Sequence, residues 1–451
     1  MSPTDSGEAG IDEARGVPGA RATAGDAALP VALPPFGVAR FPRIVFGAGR
    51  RAEIPALVAT FGRRALLVTG GRSLRALPAW AEITAGLDAA GIAWEHVAVD
   101  GKPSPELVDD AVARRRADPP DVVVGIGGGS ALDAAKAIAG LLRSGTAALD
   151  HLEGVGRGIL YPGPATPFVA VPTTAGTGAE ATKNAVLSGR LAVASDGISG
   201  GPDGTTAARG GAPYKKSFRD ERLVAAVAVL DPDLLAGCPP AVIAGDGMDA
   251  LTQCLEAYVS TGASPFTDAV ARSGLAAIGP ALPAWHAATL AVAPASETAP
   301  ARSAMAWGAL ASGIALANAG LGAVHGIVAV LGARHGVHHG TGCGILLAET
   351  TRVNVAALHA RDPGGPALGQ YAEIGRLLVG DPGLGRDEAA GALVAWLATL
   401  AGGLGLPRLG DVGVGEADIP ALVAESRGSS MRTNPIALVD AEIAAILSAC
   451  R

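Results

Sequence analysis

Between Arg40 and Pro232 the chain alternates short apolar, β-branched runs with amphipathic ones. The runs RIVFGAG, ALLVTGG (65–71), AWEHVAV, DVVVGIGGGS (121–130), PFVAVPTTAGTG from Pro167 and AVAVLDP from Ala226 each end in glycine or a turn. Helical patterns such as PELVDDAVARRRA from Pro105 and LDAAKAIAGLLR from Leu132 separate them. Strands alternating with helices predict parallel βαβ units. Beyond Pro232 the apolar spacing is helical to the end, so the expected class is an α/β half (35–232) followed by an all-α half (233–451). With 451 residues, the chain exceeds the roughly 250–300 at which single cores stop growing, which also predicts two domains. Residues 1–34 lack periodicity and read as a disordered leader. The Gly-, Ser- and Thr-rich stretch 188–212 reads as a long exposed loop inserted in the first half.

Composition narrows the picture. Ser303–Ala333 and Ala389–Pro407 carry no charged residue and are long enough to cross a membrane. They are rich in Ala and Gly rather than in Leu, Ile and Phe, and Asn318 and His325 interrupt the first, so both are expected as buried helices without membrane contact. Net charge is -7 and there is no basic block, which argues against nucleic acid as a partner. The N-terminus has no basic start followed by an apolar core, the mark of a secretory signal, and a cytoplasmic location is expected. Cys238, Cys254, Cys343 and Cys450 have neither zinc-finger spacing nor disulfide density, and read as reduced thiols.

Two segments carry chemistry. In DVVVGIGGGSALDAAKAIA, Gly127, Gly128 and Gly129 stand between a buried strand and a helix, with Ser130 as expected N-cap and Asp133 three residues on, as in a capping box. Such a turn admits a diphosphate to the backbone, where free N–H groups and the helix dipole stabilise its charge. The spacing differs from the common GxGxxG fingerprint. In PTTAGTG, Thr173, Thr174 and Thr177 add hydroxyls beside a second glycine turn.

In GDGMDALTQCLEAYVS, Asp249 and Gln253 lie four residues apart and so share a helix face. His325 and His339, fourteen apart, would be about 21 Å distant on one continuous helix. They can share an ion only if the chain turns between them, and Gly332 and Gly336 permit a turn. Two imidazoles and a carboxylate suit iron or zinc with positions open to a substrate oxygen.

With these segments in view, the chain resembles the iron-containing, or group III, alcohol dehydrogenases. FPRIVFGAG, GIGGGSALDAAKAIA, VPTTAGTGAEAT, AVLDPDL, GMDALTQCLEAYVS and ANAGLGAVHGIVAVLG followed by HHG carry the resemblance, which spans about Phe41 to Ser448. It implies a Rossmann-like dinucleotide-binding domain and a helical domain, an architecture shared with dehydroquinate synthase, with NAD or NADP and a divalent metal (Fe²⁺ or Zn²⁺) in the cleft. It assigns Gly127, Gly128, Gly129, Ser130 and Asp133 to the diphosphate loop, Thr173, Thr174 and Thr177 to a second cofactor loop, and Asn184 and Lys215 to the nicotinamide ribose. Asp249, His325 and His339 match three of four metal ligands. Gln253 stands at the fourth, where the family has histidine, and predicts a weaker or absent metal because an amide oxygen is a poorer ligand than imidazole. Ala329 replaces a histidine near the nicotinamide ring, leaving His335 and His338 as substitute proton carriers. At the end of the second strand, where an acidic residue would bind the adenine ribose, the chain has Gly70, Gly71 and Arg72, which permits NADP.

The expected activity is metal-assisted hydride transfer between an alcohol and an aldehyde or ketone. The alternatives are a metal-independent reductase of the same fold, a tailoring dehydrogenase for a larger substrate such as a natural-product intermediate or a peptide C-terminal Thr (with oxidative decarboxylation), and a dehydroquinate synthase-like lyase. A homo-oligomer, dimer or larger, is expected.

Overall fold

The computed structural model describes residues 33, 35–191, 211 and 213–451; the expected leader 1–34 and most of the expected 188–212 loop lie outside them. Six strands form one fully parallel sheet: β1 (Arg43–Phe46), β2 (Arg64–Gly70), β3 (Ala93–Val99), β4 (Val122–Gly127), β5 (Phe168–Pro172) and β8 (Val227–Leu230). They are the six apolar runs named above. Their order across the sheet is β1-β8-β5-β4-β2-β3. The chain builds outward from β2 to β3, then returns to the other side of β2 with β4. That reversal opens a crevice at the carboxyl ends of β2 and β4, the usual ligand position in such sheets.

Alternation within the central strands explains the layering. Leu66 and Val68 of β2 and Val123 of β4 enter one apolar cluster with α3 (Pro105–Ala113) and α4 (Gly129–Leu141). Leu67, Val122, Val124 and Ile126 enter another on the opposite face with α1 (Ile54–Ala59) and α2 (Pro78–Ala89). A sheet buried on both faces gives near-continuous apolar strands, which is why β4 and β5 read as runs. The short helix α5 (Ala148–His151) precedes β5.

A second sheet was not legible as such. Strands β6 (Asn184–Arg190) and β7 (Pro213–Arg219) form an antiparallel hairpin, so residues 188–190 of the expected loop are strand, with Ser188 opposite Lys215. Mixed polar composition on β7 (PYKKSFR) hid the period, since only Tyr214 and Phe218 point into the core.

The helical half comprises α6 (Pro240–Tyr258), α7 (Pro265–Leu290), α8 (Ala295–Ala319), α9 (Ala323–Arg334), α10 (His339–Arg361), α11 (Pro366–Val379), α12 (Arg386–Gly403), α13 (Ile419–Glu425) and α14 (Asp440–Ala449). Met248, Leu251 and Leu255 of α6, Leu275 of α7, Met305 of α8, Ile327 of α9, Leu346 of α10 and Leu393 of α12 share one core. At roughly 1.5–3 kcal/mol per buried large apolar side chain, that core fixes the relative placement of the helices. The uncharged stretch Ser303–Ala333 is α8 and α9, which meet at a bend of 103°. Among the described residues no single helix is long and apolar enough to cross a membrane. Residues 36–451 form one compact unit, and Ala181, Ala228 and Leu230 pack on Leu310 and Ile314 of α8 where sheet and helices meet.

Candidate active site between the sheet and the helices

The glycine turn sits at the crevice. Strand β4 ends at Gly127, and α4 begins at Gly129 with Gly128 as its N-cap and no side chain capping it. Ser130 is therefore an exposed residue of the first helical turn, and the expected capping box with Asp133 does not form. The uncapped N–H groups stay available to an anion. Two neighbours need the glycines. A Cβ on Gly127 would lie 3.4 Å from Gly70 N at the end of β2, and one on Gly129 would lie 2.8 Å from Thr177 Cγ2. The second loop is tied to the first, because Thr173 N donates to Gly127 O at 3.0 Å. This narrow, side-chain-free floor fits a dinucleotide diphosphate.

Lys136 anchors the surroundings. Fully buried on α4, it donates to the carbonyls of Ala179 (2.7 Å), Thr182 (2.8 Å) and Asn184 (2.7 Å), pinning the second loop to the hairpin. Burial lowers its ammonium to about 8. Asp133 accepts from the Val186 backbone, and burial raises its carboxyl to about 6 against the pull of Lys136 and Lys215. At the end of β2, the exposed carboxylate of Asp100, just beyond β3, lies against Gly71, where a Cβ would have to displace it. An acidic side chain thus stands beside the β2 terminus although β2 itself ends without one.

The metal candidates converge from three helices. Asp249 on α6, His325 on α9 and His339 at the start of α10 meet with Cys343, one turn further along α10; their donor atoms all lie within 4.8 Å of one another. The turn between the two histidines is real, since α9 ends at Arg334 and α10 starts at His339. Helices α6 and α10 approach closely because both are glycine at the contact: a Cβ on Gly340 would collide with the carbonyl of Gly245, one turn before Asp249.

Glu256, which the sequence reading missed, orients the group. Its Oε2 accepts from His325 Nδ1 at 2.6 Å and its Oε1 from Val324 N at 2.7 Å, so it caps α9 and sets the imidazole together. Its signal was spacing, since Asp249, Gln253 and Glu256 share one face of α6. With Nδ1–H committed to Glu256, a neutral His325 aims the Nε2 lone pair at Asp249 Oδ1, 3.3 Å away. Two facing acceptors require a cation between them, either a proton or a metal.

Electrostatics agree. Burial alone would raise the Asp249 carboxyl, yet the neighbouring imidazoles and Lys215 hold it well below the usual carboxylate range. Burial, with Lys215 nearby, pushes His339 down to about 3, keeping it a neutral ligand-type imidazole. His325 is raised despite burial, through Cys343, Asp249 and Glu256. Burying so many polar groups in an apolar core costs several kcal/mol each without partners, so packing does not explain the cluster. Its donors, one carboxylate, two imidazoles and a thiol, fit a divalent transition metal.

A cavity of about 790 Å³ opens beside it, lined by Asn184 and Lys215 of the hairpin and by His325, Ala329 and His339 of the helices. Gln253 is fully buried and its Oε1 accepts from Ser312 Oγ at 2.6 Å. Neither expected proton carrier lines the cavity. His335 ends α9 with Nε2 4.0 Å from Asp418 Oδ1, and His338 is the exposed N-cap residue of α10.

Residues 42–196 match the family described as iron-containing alcohol dehydrogenase, and residues 243–450 match the C-terminal domain of the Fe-containing alcohol dehydrogenase family. The chain belongs to the iron-containing alcohol dehydrogenases. It is 32% identical over 386 residues to lactaldehyde reductase of Escherichia coli, covering 84% of this chain and 89% of that one. To 1,3-propanediol dehydrogenase of Klebsiella pneumoniae it is 34% identical over 394 residues, covering 85% and 90%. A crystal structure of 1,3-propanediol oxidoreductase superposes with a TM-score of 0.77 at 30% identity, covering 93% of this chain and 100% of the other. Like its family, the chain is an NAD(P)-dependent oxidoreductase that interconverts alcohols and aldehydes.

Proposed function

We propose that this alcohol dehydrogenase transfers hydride between a nicotinamide nucleotide held by Gly70, Gly127–Ser130 and Thr173–Thr177 and a small alcohol or aldehyde whose oxygen sits beside Asp249, His325 and His339. The convergence of those three donors carries the reading, with His325 and His339 lining a cavity that Asn184 and Lys215 of the hairpin also line. Asp249 supplies the negative charge, and His325 and His339 supply neutral nitrogens from the cavity side. Glu256 keeps His325 in one tautomer. Asn184 and Lys215 face the cavity from the hairpin and orient the ribose and the substrate.

A divalent metal in this donor set supplies Lewis acidity that stabilises developing negative charge on the substrate oxygen. The nicotinamide supplies or accepts the hydride. Asp100 beside Gly71 supports NAD over NADP, since a carboxylate accepts from a ribose 2′-hydroxyl and repels a 2′-phosphate. Lys215, Lys216 and Arg432 on the cavity lining, with fewer acidic neighbours, support substrates whose far end is anionic, such as a hydroxy acid. The enzyme is read as a cytoplasmic homo-oligomer; the four buried free cysteines suit a reducing compartment.

Chelation followed by elemental analysis tests the metal. Removal is expected to abolish turnover and readdition to restore it, and Asp249→Asn is expected to lower kcat/KM by roughly 1,000-fold, or about 4 kcal/mol. A metal-free preparation with full activity would establish the metal-independent reductase instead.

A further inference from the structure

We propose that Cys343, and not Gln253, is the fourth protein ligand of the metal centre, making it an Asp-His-His-Cys site that prefers zinc to iron. The proposal rests on the metal reading above and deepens it. Four donor–donor distances lie at or within about half an ångström of the edges of one coordination tetrahedron, and all four donor atoms lie within 4.8 Å of one another. With bonds of about 2.0 Å to O and N and about 2.3 Å to S, tetrahedral edges are about 3.3 Å between O and N donors and about 3.5 Å to sulfur. Asp249 Oδ1 lies 3.3 Å from His325 Nε2 and 3.8 Å from His339 Nε2. Cys343 Sγ lies 3.6 Å from Asp249 Oδ1 and 4.0 Å from His325 Nε2.

Position on the helix explains why. Cys343 follows His339 by one turn of α10, so both project from the same face. Gly245 and Gly340 let that face approach α6. Gln253 is one turn beyond Asp249 on α6, but its amide oxygen accepts from Ser312, a fully buried hydroxyl on α8. The chain therefore loses a ligand on one helix and offers another from a facing one. Cys343 is fully buried and does not line the cavity, whereas His325 and His339 do. The sulfur thus binds from behind and leaves the cavity face to substrate oxygen. Ligation replaces the S–H bond with a metal–sulfur bond and releases the proton to solvent. A thiolate beside two imidazoles shifts preference from iron toward zinc.

Cobalt reports thiolate ligation directly. The full-length enzyme, stripped by chelation and loaded with Co²⁺, is expected to show a sulfur-to-cobalt charge-transfer band in the near ultraviolet at one cobalt per chain. Cys343→Ser is expected to lose the band and to bind Zn²⁺ at least tenfold more weakly, with its fold checked by circular dichroism. Gln253→Ala is expected to keep both the band and the stoichiometry. Full cobalt occupancy with no band, a band that survives in Cys343→Ser, or loss of metal from Gln253→Ala alone would each overturn the assignment while leaving the metal centre in place. A folded wild-type enzyme that takes up neither Co²⁺ nor Zn²⁺ would instead overturn the metal reading itself.

Discussion

The two halves of the active site are built from different materials. The nucleotide floor is backbone: Gly127, Gly128 and Gly129 contribute by lacking side chains, and the loop from Thr173 is tied to them by a main-chain bond from Thr173 N to Gly127 O. The metal cluster is side chain throughout, with Asp249, His325, His339 and Cys343 drawn from three helices spread over ninety-five residues. A backbone site tolerates changes in neighbouring side chains but no added Cβ. The side-chain site tolerates repacking at a distance but no change of donor or of the groups that aim it.

That contrast predicts effects that separate by half. Glu256→Gln is expected to weaken metal affinity 10- to 100-fold, since a neutral amide orients and polarises His325 less than a carboxylate does. Measured by competition with a chelator, the loss should leave nucleotide affinity unchanged; unchanged metal affinity would break the contrast. Gly129→Ala, whose Cβ meets Thr177, should weaken nucleotide binding about tenfold, or about 1.4 kcal/mol, in a calorimetric titration that shows full metal content.

A separate effect concerns the support beneath both halves. Burial raises the Glu180 carboxyl to about 7, against the attraction of Lys136, and its Oε1 has no partner among the described residues. A raised carboxyl means the folded state holds its proton longer than the unfolded one. Its stabilising effect is fully present below the unfolded value near 4.5 and is lost as pH rises through about 7. Glu180→Gln should remove that decline, so that stability by urea denaturation gains roughly 3 kcal/mol at pH 8 relative to pH 4.5. A parallel pH dependence in both proteins would show that Glu180 ionises freely.

Much was legible because it is local. The six strands of the parallel sheet follow from apolar runs of β-branched residues, and the glycine turn follows from contiguous sequence, as does the helical character beyond Pro232. The hairpin was harder to see. Its strand β7 buries only Tyr214 and Phe218 among lysines and arginines, and its partner β6 runs into the segment read as loop. Ser130 read as an N-cap by residue type, yet the cap falls two residues earlier, at Gly128, which takes the extended conformation.

By itself, the sequence determined the fold class, since strand and helix patterns depend on residues close in the chain, and it offered the glycine turn and Asp249, His325 and His339 as candidates through motifs each whole in itself. Only the tertiary structure decided the rest. Asp100 reaches Gly71 across neighbouring strands, Glu256 reaches His325 across 69 positions, and Cys343 meets Asp249 where Gly245 and Gly340 let two helices close. Residue spacing carries no information about such crossings, because helix packing rather than chain neighbourhood sets them.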